Sequence, residues 1–178
     1  SLLCDSVGTV LTLIPKDHIL SSVDGVFNAV AVHGDVVGET LFYGSGAGQD
    51  ATSSAVISDV ADAAENINNR VGCTGFVPKG DFGTVLPLAE TISQYYLRLS
   101  VADRPGVLAK IATITGNNDV GILSVIQPEP ESSTEHIPLV LLLHDASFGT
   151  VQDALKSILE LDTVEPEHTL LRVETLEQ

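Results

Sequence analysis

Apolar and polar positions alternate over residues 95–101, YYLRLSV, with the period of two that predicts a strand buried on one face. A DRPG turn follows, in which Asp103 is predicted to cap a helix and Pro105 occupies its first turn. From Val107 apolar residues recur at helical spacing until GNND at 116–119 ends the helix. A second strand is predicted directly afterwards, over residues 121–127.

The rest of the second half continues this pattern of elements. Residues 138–143, PLVLLL, predict a buried strand, and residues 147–161 an amphipathic helix. Residues 163–176 predict a last, alternating strand. The order strand–helix–strand–strand–helix–strand predicts an α+β fold for residues 95–178. In it, two helices cover a four-stranded antiparallel sheet, a ferredoxin-like βαββαβ architecture.

The first half of the chain has a different pattern. Residues 7–14 are strand-like, and residues 26–32 and 37–43 flank a short turn as the strands of an antiparallel hairpin. A glycine-rich segment at 44–48, GSGAG, leads into a helix that is predicted to be capped by Thr52 and to reach about Asn68. We therefore predict a partial α/β domain over 1–68, a Gly- and Pro-rich linker over 69–94 and a second domain over 95–178.

The glycine-rich segment is the first candidate site. Backbone N–H groups of Gly44, Gly46 and Gly48, placed before a helix N-terminus, can approach a phosphate or the edge of a cofactor. The spacing is not GxGxxG, and no acidic residue follows at the end of a second parallel strand, which excludes a complete Rossmann domain here. The alternative, that these glycines serve only close packing of a strand on a helix, stays open.

The second candidate site is for an amino-acid effector and combines the turn before the first helix with the residues after it. Backbone N–H groups of the turn can hold a carboxylate, and side-chain oxygens can accept from an ammonium group, at an interface between two copies. The alternative is that Asp103 only caps the helix. The candidate residues are Asp103, Arg104, Gly106, Asn117 and Asn118.

Composition narrows the possible partners. The chain has 24 acidic and 8 basic residues and a net charge of −16, which argues against nucleic acid and anionic membranes. It has no apolar run of membrane-spanning length and no signal-peptide pattern, and its 2 cysteines lack metal or redox spacing, which favours the cytoplasm. Conventional catalytic motifs are also missing, so we predict no catalytic and no metal-ligating residue. Methionine is absent even at position 1, and we expect a longer parent protein.

A family resemblance joins the two halves. Residues 15–30 resemble the pattern P-x-x-H-x-L-x-x-V-x-G-x-x-N-A-V, and residues 43–59 resemble YGxGAGxxxTAxxVxxD. Both patterns occur near the end of the catalytic domain of homoserine dehydrogenases. Bacterial members of that family commonly carry a C-terminal ACT domain, a small βαββαβ module that senses amino acids, and its YYLRLSV-x-D-x-P-GVLA start is matched over residues 95–109. Asp119 departs from the family pattern, in which a glycine is usual.

The resemblance implies a C-terminal fragment of an enzyme that interconverts L-homoserine and L-aspartate 4-semialdehyde with NAD or NADP. In the family the dinucleotide fold, the catalytic lysine and the acidic substrate residues precede this stretch, so the chain alone is expected to be inactive. The glycine-rich segment is expected near the cofactor, the ACT domain is expected to sense threonine, and the chains are expected to form at least a dimer. The alternative is a stand-alone ACT-type regulator that binds amino acids.

Overall fold

The computed structural model describes residues 10–69, 86–128 and 135–175. They belong to two compact units, one of which comprises Pro15–Asp81 and the other Ser1–Ile14 with Phe82–Thr175, apart from a few residues at the C-terminus. In chain order the strands and helices are β1 (Thr12–Leu13), β2 (Phe27–Gly34), β3 (Gly38–Ser45), α1 (Gln49–Asn68), β4 (Ile92–Ala102), α2 (Val107–Asn117), β5 (Ile122–Ile126), β6 (His136–Ser147), α3 (Phe148–Leu159) and β7 (Val164–Val173).

The C-terminal unit is built on a mixed five-stranded sheet in the order β1-β7-β4-β6-β5. The pairs β7–β4, β4–β6 and β6–β5 are antiparallel, whereas β1 runs parallel to β7. From β4 onward the chain order is strand–helix–strand–strand–helix–strand, as the periodicity predicts. The α+β class is therefore confirmed, and a fifth strand is added to the predicted four.

The fifth strand corrects two sequence-based expectations. Only Thr12 and Leu13 of the predicted 7–14 strand are paired, and residues 7–9 lie outside the described part of the chain. The pairing places this segment on the edge of the C-terminal sheet rather than in a domain over 1–68, and the Glu174 N–H donates to the Leu13 carbonyl at 2.9 Å. An open strand edge offers unpaired N–H and C=O groups to any extended segment, and no local sequence pattern reveals which segment takes them.

The core of this unit lies between one face of β4 and the two helices α2 and α3. Tyr95, Leu97 and Leu99 are each 1% exposed and pack in one cluster with Ile111 of α2 and Ile158 of α3. Each such side chain contributes about 1.5–3 kcal/mol when it is fully buried. The alternation at 95–101 and the helical spacing of apolar residues are therefore both confirmed as core faces.

Two strands of the sheet are longer than their patterns predict. β4 begins at Ile92, inside the predicted linker, and β6 continues past the polar pair at 144–145 to Ser147. The two extensions pair with each other, since Ile92 lies opposite Ser147. Mutual backbone pairing supports both segments, although neither has a strand pattern of its own. Of the other predicted linker residues, 70–85 lie outside the described part of the chain.

The N-terminal unit contains the predicted hairpin. β2 and β3 pair antiparallel from Phe27 opposite Ser45 to Gly34 opposite Gly38, and the rings of Phe27 and Tyr43 stack with centroids 5.0 Å apart. The helix α1 follows the hairpin but begins at Gln49, earlier than predicted. Thr52 therefore lies inside the first turn and does not cap the helix.

Candidate functional site

The glycine-rich segment joins the end of the hairpin to the start of α1. Gly44 lies within β3 opposite Asn28, and Gly48 is the N-cap residue of α1. Between them the Gly46 N–H donates to the Val26 carbonyl at 2.9 Å. The predicted arrangement, a glycine turn leading into a helix N-terminus, is what the structure contains.

Two of the three glycines have a structural requirement. At Gly46 a β-carbon would overlap the side chain of Asn28, so a larger residue at this position requires the Asn28 side chain to move. Gly48 has a φ of 120°, a conformation that residues with a side chain rarely adopt. A β-carbon at Gly44 would meet no atom within 4 Å, so packing does not explain that glycine.

Asn28 lies beside the candidate site, and the sequence analysis did not assign it to that site. It appeared in the N-A-V part of the family pattern, and its position opposite Gly44 places it beneath the loop. The register of the hairpin is the sequence signal from which its position next to the glycine segment could have been predicted. A turn of two to four residues aligns Asn28 with the glycine segment.

The first turn of α1 has N–H groups that no side chain caps, because its N-cap residue is a glycine. Such groups, with the positive end of the helix dipole, favour an anionic or polar ligand edge. Asp50 lies in the same turn and opposes an anion there. The arrangement therefore suits hydrogen bonding to a polar edge of a ligand better than binding of an isolated phosphate.

A histidine–carboxylate pair stabilises the segment before the hairpin. His18 Nε2 lies 3.2 Å from Glu39 Oε1 on β3, and the His18 side chain is only 8% exposed. The Leu20 N–H donates to His18 Nδ1 at 3.2 Å, which leaves the ring proton on Nε2, where it can donate to Glu39. The pair holds a 3₁₀ turn, Ile19–Ser22, against the hairpin. His18 occurs in the family pattern, but no local spacing reveals its partner.

The turn of the predicted effector site is formed differently from the expectation. Gly106, with a φ of 91°, is the N-cap residue of α2, and no side chain caps this helix. The prediction that Asp103 caps α2 is therefore wrong, because the turn brings Gly106 into the cap position. The Asp103 N–H instead donates to the Glu135 carbonyl at 3.4 Å, and the exposed Arg104 guanidinium lies 3.8 Å from the Glu135 carboxylate.

The two asparagines of the predicted effector site lie at the other end of α2. Asn117 is the last helical residue, and Asn118 is the C-cap residue, whose side-chain amide donates to the Ile114 carbonyl at 2.8 Å. An 11-residue helix is about 16 Å long, so the two halves of the site do not meet within one copy of the chain. Asp119 follows with a φ of 57°, the left-handed conformation for which the family uses glycine.

The described residues contain neither a metal-binding cluster nor a membrane-spanning helix. Over 10–69, 86–128 and 135–175, no three His, Cys, Asp or Glu side chains form a group that can hold a metal ion. No helix in that part of the chain is both long enough and apolar enough to cross a membrane.

Comparison with known proteins gives the same family from sequence and from structure. Residues 3–61 match the profile of the homoserine dehydrogenase family. Homoserine dehydrogenase of Pseudomonas aeruginosa is 38% identical over 93% of this chain, and that of Neisseria gonorrhoeae is 40% identical over 93%. In each case the match spans 39% of the relative.

A crystal structure extends this likeness to three dimensions. The homoserine dehydrogenase of Thiobacillus denitrificans superposes with a TM-score of 0.76 at 35% identity, over 93% of this chain and 38% of that one. The match includes both the N-terminal and the C-terminal unit, and it continues well beyond the segment that the family profile covers. The chain therefore belongs with the homoserine dehydrogenases, of which it corresponds to a C-terminal part that spans about two fifths of their length.

Proposed function

We propose that the chain is the C-terminal part of an enzyme that interconverts L-homoserine and L-aspartate 4-semialdehyde with NAD or NADP in the cytoplasm. The observation that supports this proposal most is the continuous match to homoserine dehydrogenases over 93% of the chain. In this proposal the backbone N–H groups of Gly44, Gly46 and Gly48 form one part of the cofactor site. A preceding domain binds most of the cofactor. The chain's own residues position the loop and supply no acid or base to the reaction.

The geometry of the glycine segment supports this role. The hairpin and the N-cap glycine hold backbone N–H groups at an exposed helix start, where a polar edge of a dinucleotide can be reached. The Asn28 side chain lies directly beside Gly46 and limits where this part of the loop can move. A fixed loop lowers the entropy lost when a cofactor binds.

The proposal is tested on the protein translated from the natural start of its gene. We expect homoserine-dependent reduction of NAD or NADP, and we expect none from the 178-residue chain alone. Gly46→Ala is expected to raise the KM for the cofactor about tenfold, because the new methyl group displaces Asn28 and the loop. Gly116→Ala is the matched control, since its methyl group meets no neighbour within 4 Å and Gly116 lies in α2, outside the glycine-rich segment.

Three outcomes contradict the proposal. A start codon next to Ser1 favours the stand-alone amino-acid-binding regulator, and turnover by the isolated chain requires a catalytic base that the proposal does not contain. A cofactor KM of the Gly46→Ala enzyme equal to those of the parent and of Gly116→Ala removes the loop from the cofactor site.

We also infer that residues 95–178 form an ACT regulatory domain with a ferredoxin-like arrangement. The βαββαβ order and the antiparallel strand order β7-β4-β6-β5 support it, as does the YYLRLSV–DRPGVLA start. In this proposal threonine is the effector. Its site combines Asp103, Arg104 and Gly106 of one copy with Asn117 and Asn118 of a second copy, because the length of α2 separates them in one chain.

Calorimetric titration of L-threonine into the chain tests the effector site. Charge-assisted hydrogen bonds contribute about 1.5–3 kcal/mol each, so Asp103→Ala and Asn117→Ala are each expected to weaken binding about tenfold or more. Thr113→Ala, in the exposed middle of α2, is the control. Equal affinity of all four proteins places the effector elsewhere.

A further inference from the structure

A pocket of about 250 Å³ lies on the side of the C-terminal sheet that faces away from α2 and α3. Leu97 and Leu99 of β4 point into the core, so Arg98 and Ser100 between them point to the opposite face. No residue of the proposed effector site lines this pocket. Its lining consists of Arg98, Leu99, Ser100, His136, Pro138, Glu167, His168 and Thr169.

An irregularity in the pairing of β4 with β7 creates the pocket. Leu99 lies opposite His168 and Val101 lies opposite Val164, so β7 carries two more residues than β4 over this interval. The extra residues include Pro166, which has no N–H to donate to a neighbouring strand. β7 therefore bulges, and Ser100 lacks a partner on this side.

Two opposite charges line the pocket without neutralising each other. Among the described residues neither Arg98 nor Glu167 takes part in an ion pair or a side-chain hydrogen bond. The neighbouring carboxylate of Glu165 lies 3.1 Å from Nε2 of His136, a residue that also lines the pocket, so this carboxylate already has a partner at the pocket wall. His168 Nδ1 lies 2.9 Å from the Pro166 carbonyl oxygen. Because a carbonyl oxygen only accepts, Nδ1 carries the proton and donates, and Nε2 of the neutral ring is an acceptor.

We propose that this pocket binds a small zwitterion, an α-amino acid, with Arg98 paired to its carboxylate and Glu167 to its ammonium group. A guanidinium matches a carboxylate with two parallel hydrogen bonds, and a carboxylate accepts from an ammonium group. The hydroxyl groups of Ser100 and Thr169 add neutral hydrogen-bonding positions beside them. The volume lies below the usual range of drug-sized sites, about 300–1,000 Å³, and suits a small metabolite. The proposal is independent of the dehydrogenase activity.

The test is titration of the isotope-labelled chain with L-threonine, L-serine and L-isoleucine, followed by amide NMR shifts and by calorimetry. We expect at least one amino acid to shift the amide signals of Ser100 and Thr169 in the parent chain. Arg98→Gln and Glu167→Gln are each expected to weaken its binding about tenfold or more, and Arg98→Lys less than Arg98→Gln. Propionate and propylamine, which each carry only one of the two charges, are expected to bind more weakly.

Matched controls separate this site from general charge effects and from the proposed effector turn. Lys110→Gln and Glu160→Gln remove exposed charges on the helical side and are expected to leave the affinity unchanged. The proposal is overturned if none of the three amino acids binds, or if Arg98→Gln and Glu167→Gln bind as the parent does. It is also overturned if only Asp103→Ala and Asn117→Ala weaken binding, a result that supports the effector turn instead. The reverse result supports this pocket and leaves the effector turn without a ligand.

Discussion

The hydroxyl group of Tyr95 is a polar group buried in the C-terminal core. The side chain is 1% exposed, and within 10–69, 86–128 and 135–175 its oxygen has no hydrogen-bond partner. Burial raises the pKa of Tyr95, against a lowering effect of Arg172, which lies opposite it on β7, and a further raising effect of Glu174. The folded protein therefore favours the neutral phenol.

Substitution of Tyr95 changes the pH dependence of stability. The folded-state pKa lies above the unfolded value, so its contribution to the free energy of unfolding is complete below pH about 10 and is lost as the pH rises through the raised pKa. We expect the parent to lose stability above pH about 10 and Tyr95→Phe to lose less. At neutral pH the variant is expected to stay within about 1 kcal/mol of the parent, because the removed hydroxyl group has no partner.

Urea unfolding at a series of pH values measures this effect. Tyr96→Phe, on the half-buried face of the same strand, is the control and is expected to retain the alkaline loss of the parent. An identical loss in Tyr95→Phe and in the parent contradicts the prediction.

At the scale of elements, the helices of the C-terminal unit begin in two different ways. α2 starts from a glycine without a side-chain cap, which leaves its first N–H groups without side-chain partners. α3 starts from Ser147, whose hydroxyl oxygen accepts from the Thr150 N–H at 3.2 Å and lies 2.7 Å from the Thr150 hydroxyl oxygen. The start of α3 is therefore stabilised by its cap, whereas the first N–H groups of α2 remain available as hydrogen-bond donors.

Removal of the α3 cap tests the energetic part of this contrast. Ser147→Ala is expected to lower the free energy of unfolding by about 1 kcal/mol, because one first-turn N–H loses its acceptor. Ser157→Ala is the control, since the Ser157 hydroxyl only bonds back to the Asp153 carbonyl on the exposed side of the helix. Equal unfolding midpoints of the two variants contradict the assigned cap.

At the scale of the whole molecule, exposed apolar surface coexists with a high negative charge. In the hairpin Val30 is 60% and Phe42 62% exposed, and Val60 of α1 is 62% exposed. Apolar surface of this extent is typical of contact surfaces. The net charge of −16 opposes contact between identical chains, so assembly depends on how far salt screens that charge.

We expect the chain to form a dimer or a larger assembly, and we expect its association to strengthen with salt. The Debye length falls from about 30 Å at 0.01 M to about 3 Å at 1 M, which removes most of the repulsion while apolar contacts persist. Light scattering at micromolar protein concentration measures the mass at both salt concentrations. A monomer at both concentrations contradicts the expected assembly, and a mass that falls with salt contradicts the apolar origin of the contact.

Local patterns determined much of this protein. The alternation at 95–101, the apolar spacing of α2 and α3 and the short turn between β2 and β3 predict the elements, because side-chain periodicity reflects which face is buried. The glycine segment and its place before α1 were also predictable, because glycine-rich turns depend on adjacent residues, but the cap residues of α1 and α2 were not.

Only the tertiary structure decided how distant segments combine. It placed Thr12 and Leu13 beside β7, extended β4 and β6 along each other, and separated Asp103 from Asn117 by the length of α2. It also opened the pocket between Arg98 and Glu167, which depends on unequal residue counts in two strands. Each of these features rests on backbone pairing or packing between residues far apart in sequence. No local period encodes such a choice of partner, which depends instead on which edges and faces remain open once the core has formed.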